Sequence, residues 1–418
     1  MTRSSILLAV LLTFSASAQE SALTIERAVE LAVGRNERAA AAETTVEAAE
    51  ARLGRARSIF LPQVNVVGSY RNDSAAETRN TLQTSALLTQ PLFDARAFPL
   101  YRVARLQRDA ARLSADEEKR LLAFDATNLF LTALNFEQVL RAAGNRRQFA
   151  QTSLDDARAR FEAGLVSSND VTRAELELAT AVRVVAQATG NVQTARIQLA
   201  TLLNTDIPGP LDFPDELLAA AANAPALSDS VVAEAQGSRN DLAAARVRVE
   251  SLRAFAEEPS RRFIPSVLLS AQTRNINDGA ISDRNNDGFV GVTVNWPLFD
   301  AGVRRAESAE RTALARGAEL QYQLALREVE QETRGAGVQL SSEQAALREA
   351  MAALRAARKN ADETNELYRQ GLASALELAD ANQRLFEAEV AEVTARFRMA
   401  QAYLALREAR GVAPLGDQ

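Results

Sequence analysis

The chain has 418 residues, a formal net charge of −6 at pH 7, 5% aromatic residues, and neither cysteine nor histidine. This composition excludes disulfide bonds, cysteine nucleophiles, histidine general bases and the usual zinc sites. Long runs of Ala, Leu, Glu and Arg favour helices. No group of residues suggests catalysis, so we expect neither an enzyme nor a bound cofactor or metal.

Residues 1–18 have the pattern of a secretory signal peptide. Arg3 precedes an apolar run over residues 6–14, and Ala16-Ser-Ala18 is a small-residue cleavage motif. The apolar run is too short to be a permanent membrane helix, and no later stretch approaches the roughly 18 apolar residues that such a helix needs. If the exported chain crosses a membrane, it must therefore do so with strands.

The first half of the mature chain alternates between helical and extended patterns. Residues 19–36 include a short helix with Thr24 placed to cap it, and Asn36 is a plausible cap for the next helix. That helix and the elements after it are predicted over residues 37–58 (helix), 61–91 (β-hairpin with a polar tip), 95–163 (helix) and 167–204 (helix). The helix over residues 95–163 would be about 100 Å long.

The same order of elements then repeats. A proline-rich connector covers residues 205–239, and the second period spans residues 240–410, with a β-hairpin at 264–297, a long helix at 301–370, a helix at 374–410 and a tail at 411–418. Matching motifs recur 203 to 207 residues apart, namely Phe60-Leu-Pro62 with Phe263-Ile-Pro265, Pro91-Leu-Phe-Asp94 with Pro297-Leu-Phe-Asp300, and Gly164-Leu165 with Gly371-Leu372. Residues 227–240 also match residues 23–36 at an offset of 204. Four such anchors in one order indicate an internal duplication.

The two hairpins have the features of membrane strands. Each extended run is about ten residues long, which suits a tilted strand that crosses a bilayer. The alternation places Val64, Val66 and Tyr70 on one face, although Val67, Leu87 and Leu268 face the wrong way. Aromatic residues stand at the helix-to-strand boundaries, where they would form a girdle at the membrane–water interface: Phe60, Phe93, Phe263, Trp296 and Phe299.

A membrane location would require an oligomer. Four strands cannot close a barrel, open strand edges do not survive in lipid, and known barrels begin at eight strands. Two, three or four chains would therefore each contribute four strands. The alternative is a soluble periplasmic scaffold in which two hairpins cap a coiled coil. A seven-residue repeat through Leu340, Leu347, Leu354, Ala361 and Tyr368 predicts left-handed supercoiling in either case.

The order, duplication and spacing of these motifs resemble the TolC-like outer membrane efflux family over essentially the whole mature chain. The resemblance implies a mainly α-helical fold with a membrane β-barrel contribution: a homotrimer with a twelve-stranded barrel, four strands per chain, continued by a periplasmic α-barrel. It also implies an equatorial belt, to which residues 19–36, 205–239 and the tail after residue 410 are assigned. The implied function is an exit duct from the periplasm to the exterior.

The resemblance also implies partners and site residues. The partners are outer membrane lipid, a periplasmic adaptor protein and an inner membrane transporter of the RND, ABC or MFS type, with no nucleic acid. A type I protein-secretion duct cannot be separated from a small-molecule duct by the sequence. The turns that carry Gly164, Leu165, Gly371 and Leu372 would dock the adaptor, and the entrance would be formed by Asn169, Asp170, Tyr368, Glu377 and Asp380.

Ala373 and the segment 283–288 each depart from the motif that they otherwise match. Ala373 stands where an arginine often anchors the closed state of the family, which puts that lock in doubt. Residues 283–288 match the start of a calcium loop, but the twelfth position is Val294 and not Glu, so a turn-rich loop is the preferred interpretation.

Overall fold

The computed structural model describes residues 22–72, 80–225, 227–277 and 286–416, so the predicted signal peptide lies outside the described residues. Within these ranges the helices are α1 (Ile25–Arg35), α2 (Glu37–Ser58), α3 (Ala97–Glu162), α4 (Ser168–Leu203), α5 (Asp215–Asn223), α6 (Asp229–Ser238), α7 (Asn240–Arg261), α8 (Val303–Arg369) and α9 (Ala375–Ala409). The strands are β1 (Gln63–Asn72), β2 (Asn80–Phe93), β3 (Ser266–Asn277) and β4 (Asn286–Asn295).

Local sequence sets the bounds of the helices. The hydroxyl of Thr24 accepts a hydrogen bond from the backbone N–H of Arg27 (3.3 Å), and the side chain of Asn36 accepts one from the N–H of Arg38 (2.9 Å). Both caps satisfy N–H groups that have no partner inside their helix. The long helices α3 and α8 have 66 and 67 residues and begin two residues later than predicted. Within the described residues, no helix is both long and apolar enough to cross a membrane.

The proline-rich connector, which the sequence predicts to be ordered, contains a helix that was not predicted, α5. Pro208, Pro210 and Pro214 stand before this helix and Pro225 stands after it, so no proline interrupts the run Asp215–Asn223. Residues 210–212 pair with Leu23 instead: the N–H of Leu23 donates to the carbonyl of Pro210, and the N–H of Asp212 donates to the carbonyl of Leu23, both at 2.9 Å. The connector is thereby fixed to the segment that precedes α1.

The described residues divide into two compact units. The turn unit comprises residues 22–32, 126–220 and 349–397 and contains both glycine turns. The sheet unit comprises residues 33–125, 221–348 and 398–416 and contains the four strands. In the sheet unit, the end of α9 contacts α6, because the hydroxyl of Ser238 donates to the carbonyl of Arg410 (2.5 Å).

The four strands form one antiparallel sheet in the order β1-β2-β3-β4. Each hairpin pairs its own strands, and β2 pairs with β3, which joins the two halves of the duplication. The strand β2 runs two residues beyond the predicted end at Pro91, with a register shift between Pro91 and Phe93. Proline lacks the N–H that the ladder needs, so it is tolerated at such an irregularity. Within the described residues, β1 and β4 each leave one edge unpaired.

The register gives the sheet one apolar and one polar face. Opposed residues in an antiparallel pair share a face, so Val64 shares one with Leu88, Leu88 with Ala271, and Ala271 with Val290. The apolar face carries Val64, Val66, Tyr70, Leu82, Ala86, Leu88, Val267, Leu269, Ala271, Val290, Val292 and Val294. The exceptions noted in the sequence, Val67, Leu87 and Leu268, lie on the polar face, and the register adds Phe289 to them.

Candidate functional site

Both glycine turns of the turn unit have the same backbone geometry. Gly164 has φ +71° and Gly371 has φ +74°, in the left-handed region that glycine adopts without steric cost. The N–H of Leu165 donates to the carbonyl of Arg160 (2.9 Å), and the N–H of Leu372 donates to the carbonyl of Leu367 (2.8 Å). This is the hydrogen bond of a Schellman motif, so each glycine ends a long helix as predicted.

The helix after each turn begins with a capping box. Ser167 precedes α4, and its backbone N–H donates to the carboxylate of Asp170 (3.1 Å). Ser374 precedes α9, and its backbone N–H donates to the carboxylate of Glu377 (2.7 Å). Two of the predicted entrance acids therefore stabilise helix starts, a role that the Ser-x-x-acid spacing could have revealed. The backbone and hydroxyl hydrogen bonds from Ser374 lower the pKa of Glu377.

Asp380 lies one turn further along α9 and has a different partner. Its carboxylate pairs with Arg384 at 2.8 Å, and both side chains are mostly exposed. An exposed pair of this kind contributes little to stability, on the order of 0–1 kcal/mol. Its main effect is to place a positive charge beside the carboxylate.

Tyr368 is buried at the end of α8, with 6% of the residue exposed, and Arg160 from the end of α3 covers it. The guanidinium carbon of Arg160 lies 4.6 Å from the ring centre of Tyr368. The same guanidinium donates to the carbonyls of Tyr368 (3.0 Å) and Arg369 (3.2 Å). Burial raises the pKa of the Tyr368 phenol. Arg160 thus supplies an arginine contact to Tyr368, and Ala373 has no side chain that could do so.

Three of the predicted entrance residues line one cavity of about 510 Å³ in the turn unit: Asp170, Tyr368 and Asp380. Arg146 also lines it and pairs with Glu177 at 2.7 Å, with its side chain 8% exposed. Asn169 and Glu377 are not among the lining residues and lie exposed at the starts of α4 and α9.

The two leucines that follow the turn glycines are the most exposed apolar residues of the turns. Leu165 is 74% exposed and Leu372 is 73% exposed. Their backbone N–H groups are already used by the Schellman hydrogen bonds. What each turn offers to another molecule is therefore mainly the apolar leucine side chain.

In the sheet unit, the predicted girdle residues Phe60 and Phe93 both pack against a third ring, that of Phe98, which was not among the predicted residues. Phe98, near the start of α3, lies 5.6 Å from Phe60 and 6.5 Å from Phe93, measured between ring centres. Tyr101 adds an edge contact to Phe60 at 6.3 Å. The position of Phe98, four residues after the Pro-Leu-Phe-Asp motif, is the signal that could have identified it.

In the second half, the predicted girdle residues Phe263 and Trp296 contact each other, and an arginine, Arg304, takes the place of the third aromatic ring. The indole N–H of Trp296 donates to the carbonyl of Phe263 (3.0 Å), and the guanidinium carbon of Arg304 lies 4.0 Å from the ring centre of Phe263. Phe299 is highly exposed. Arg304 stands four residues after Pro-Leu-Phe-Asp in the second half, so it occupies the position of Phe98.

The described residues offer no group of three or more Asp and Glu side chains arranged to hold a metal ion. Residues 283–285 of the calcium-like loop lie outside the described ranges. The carboxylate of Asp287 pairs with Arg274 across β3 and β4.

Comparison with known proteins gives consistent matches over most of the chain. A family model described as outer membrane efflux protein matches residues 28–205 and 231–412. Outer membrane protein TolC from Vibrio cholerae is 24% identical over 378 residues, which cover 85% of this chain and 83% of the relative. The solved structure of VceC from Vibrio cholerae has a TM-score of 0.76 at 19% identity and covers 93% of this chain and 96% of its own. A solved structure of CusC has a TM-score of 0.81 at 17% identity, and the match covers 93% of this chain and 92% of the CusC chain. At these identities the two structures show a shared fold, and the two segments of the family match correspond to the two halves of the duplication.

Proposed function

Because the chain belongs to the outer membrane efflux protein family, we propose that three copies of it form an export channel in the outer membrane. The observation that carries this proposal is the sheet, which exposes a continuous apolar face and leaves the edges of β1 and β4 unpaired. Unpaired backbone groups are not tolerated in lipid, so the edges must pair with those of other copies. Three copies give twelve strands, an even number within the range of known barrels.

The proposed channel carries small molecules, or proteins in a type I secretion system, from the periplasm to the exterior. The chain would act as a passive duct, and the energy would come from an inner membrane transporter of the RND, ABC or MFS type. A periplasmic adaptor would bind the two glycine turns. The exposed side chains of Leu165 and Leu372 support this contact, because an apolar group on a rigid turn is a suitable anchor for a partner.

The acidic side chains of α9 are proposed to line the entrance of the channel. In a trimer, Glu377 and Asp380 would place six carboxylates in a narrow passage, where charges of one sign raise the local concentration of cations. The hydrogen bonds from Ser374 lower the pKa of Glu377 and so favour its ionised carboxylate. Arg384 beside Asp380 offsets part of the charge, so Glu377 is expected to make the larger contribution.

The double variant Glu377→Gln and Asp380→Asn is expected to reduce the preference of the channel for cations. Glutamine can still accept the hydrogen bond from Ser374, so the variant removes charge while it retains the capping box. The measurement is the reversal potential of single channels in a planar bilayer under a salt gradient. The control is Glu363→Gln with Glu366→Gln, two exposed acids near the end of α8. Unchanged selectivity in the entrance variant would remove both residues from the pore lining.

The mass of the detergent-extracted protein tests the channel proposal itself. We expect material from separated outer membranes to be extracted only by detergent and to have the mass of three chains by light scattering. The same preparation is expected to conduct ions in a planar bilayer. A water-soluble monomer or dimer would contradict the barrel and favour a periplasmic coiled-coil scaffold.

A further inference from the structure

A polar pocket of about 430 Å³ lies between the end of α7 and the first turns of α8 in the sheet unit. Its polar lining residues are Ser260, Arg304, Arg305, Ser308, Thr312 and Arg316, and we name it the arginine pocket. Phe263, a predicted girdle residue, also lines it. Three guanidinium groups and several hydroxyl groups form a donor set suited to the oxygen atoms of a phosphate.

Arg304 is held rigidly at the base of the arginine pocket. Its side chain is 3% exposed and pairs with Asp300 at 2.6 Å. One terminal nitrogen, Nη1, donates to the carbonyl of Arg262 (3.0 Å), and the ring of Phe263 lies against the guanidinium. The other terminal nitrogen, Nη2, is buried and has no hydrogen-bond partner among the residues that the structure describes. A buried donor without an acceptor is unfavourable, and an oxygen atom bound in the arginine pocket, which Arg304 lines, would supply one.

Arg305 and Arg316 add positive charge at the rim of the arginine pocket. Both side chains are exposed, and neither pairs with a carboxylate in the part of the chain that the structure describes. Nearby Glu307 lies within ion-pair distance of Arg262 (2.8 Å) and Arg311 (3.8 Å). The start of α8 contributes a further partial positive charge, because the helix dipole is positive at its first residue. The arginine pocket therefore has an excess of positive charge.

The internal duplication provides a comparison within the same chain. Positions 206 residues before Arg304, Arg305, Ser308, Thr312 and Arg316 hold Phe98, Pro99, Arg102, Leu106 and Ala110. In the first half, Phe60 packs on the ring of Phe98, whereas its counterpart Phe263 packs on the guanidinium of Arg304. The fold thus accommodates a mainly apolar set at these positions, in which Arg102 is the one charged residue. Arg305 and Arg316 have the uncharged counterparts Pro99 and Ala110, so the fold of the junction does not require these two basic residues, which supports a binding role.

The position of the arginine pocket suggests the source of the phosphate. Phe263 and Trp296 stand where β3 and β4 meet the helices, at the proposed membrane–water interface. Phosphate groups of lipids lie at this level, and basic pockets in membrane proteins bind them. We propose that the arginine pocket binds the phosphate of an anionic phospholipid headgroup. This inference rests on the proposed function, because it requires the sheet to lie in a membrane.

Lipid binding by the double variant Arg305→Gln and Arg316→Gln tests the proposal. The detergent-solubilised oligomer is freed of lipid, incubated with phosphatidylglycerol, and analysed by native mass spectrometry. We expect the wild type to bind one lipid per chain and the double variant to bind it at least about tenfold more weakly, because two charge-assisted contacts are lost. Arg304 is left unchanged, since its buried ion pair with Asp300 stabilises the junction.

The control is the double variant Arg348→Gln and Arg355→Gln, which removes two exposed arginines of α8 that lie outside the arginine pocket and form no ion pair with any described residue. It is expected to bind phosphatidylglycerol as the wild type does. Equal binding by all three proteins would overturn the proposal. A second arm adds inorganic phosphate: if phosphate binds the wild type and phosphatidylglycerol does not compete with it, the pocket is a free-phosphate site and the lipid assignment is wrong.

Oligomeric state and conductance, measured on the same preparations, separate this inference from the proposed function. A wild-type protein that does not form trimers or conduct would contradict the channel. A wild-type protein that conducts, together with an Arg305→Gln and Arg316→Gln variant that binds lipid normally, would contradict only the lipid site. The variant itself is expected to conduct as the wild type does, because its changes lie outside the proposed pore entrance.

Discussion

Replacement of Val292 by lysine is expected to abolish insertion of the sheet into the outer membrane. Val292 lies on the apolar face opposite Leu269, and 61% of it is exposed in the single chain. In the proposed barrel this face contacts lipid. A lysine near the bilayer midplane costs about 2–4 kcal/mol in a membrane barrel, and a trimer carries three of them. The summed cost of the three lysines is comparable with the whole free energy of unfolding of many proteins, about 5–15 kcal/mol.

The matched control is Thr293→Lys, one residue further along β4. Thr293 lies on the polar face opposite Leu268, so the same lysine would point into the proposed channel. We expect Thr293→Lys to reach the outer membrane as trimers and Val292→Lys to be absent from that fraction, as measured by membrane separation followed by cross-linking. Normal insertion of Val292→Lys together with failure of Thr293→Lys would mean that the assigned faces are reversed.

The apolar and polar faces of the sheet could be predicted from local sequence, whereas the order of its four strands could not. Alternation with a period of two placed Val64, Val66 and Tyr70 together, because side chains on a strand alternate whatever the strand pairs with. The pairing of β2 with β3 joins residues such as Leu88 and Ala271, which are 183 positions apart in the chain. Contacts at this separation depend on the packing of the whole unit, and no local pattern encodes them.

The helix ends and turns were predictable for a similar reason. A left-handed glycine between two helical runs has a local signature, and both Gly164 and Gly371 have the expected conformation. The contacts of Arg160 with Tyr368 were not predictable, since they connect residues 208 positions apart. The helix α5 was missed because the prolines before Asp215 obscured a short run of good helix formers.

The two halves also show the limit of reasoning from a duplication. The matching motifs correctly indicated that the second half repeats the elements of the first. They did not reveal that the junction is aromatic in the first half, where Phe60 packs on Phe98, and cationic in the second, where Phe263 packs on Arg304. Phe161 likewise aligns with Tyr368 in the helical repeat, yet Phe161 is exposed and Tyr368 is buried. Matching positions of the two halves therefore make different contacts, because their side chains differ.

Replacement of Glu258 by glutamine is expected to destabilise the sheet unit strongly. The side chain of Glu258 is only 5% exposed, and it accepts hydrogen bonds from Arg262 (2.8 Å) and Arg311 (2.7 Å). It thereby joins the end of α7 to α8 beside the sheet. Glutamine keeps the size and removes the charge, which leaves two partly buried guanidinium groups short of a partner. Breaking a buried pair in this way costs on the order of 3 kcal/mol.

The control for this variant is Glu257→Gln. Glu257 is 48% exposed and forms longer pairs with Arg102 (3.6 Å) and Arg261 (3.9 Å). The expected loss is below about 1 kcal/mol, as for other surface pairs. The measurement is urea-induced unfolding in detergent, followed by the circular dichroism of the helices. Equal losses in the two variants would show that burial does not distinguish the two carboxylates.

The pH dependence gives an independent measure of the Glu258 contacts. Burial alone would raise the pKa of Glu258, but the hydrogen bonds from Arg262 and Arg311 outweigh it, so its pKa lies below the ordinary value. A carboxyl group whose pKa is lowered by folding stabilises the folded state above its unfolded pKa, about 4.3 for glutamate. This stabilisation is lost as the pH falls through the lower pKa of the folded state. The stability difference between wild type and Glu258→Gln is therefore expected to be full at pH 7 and to shrink below about pH 4. A difference that stays constant over this range would mean that the variant acts through packing and not through the lost charge.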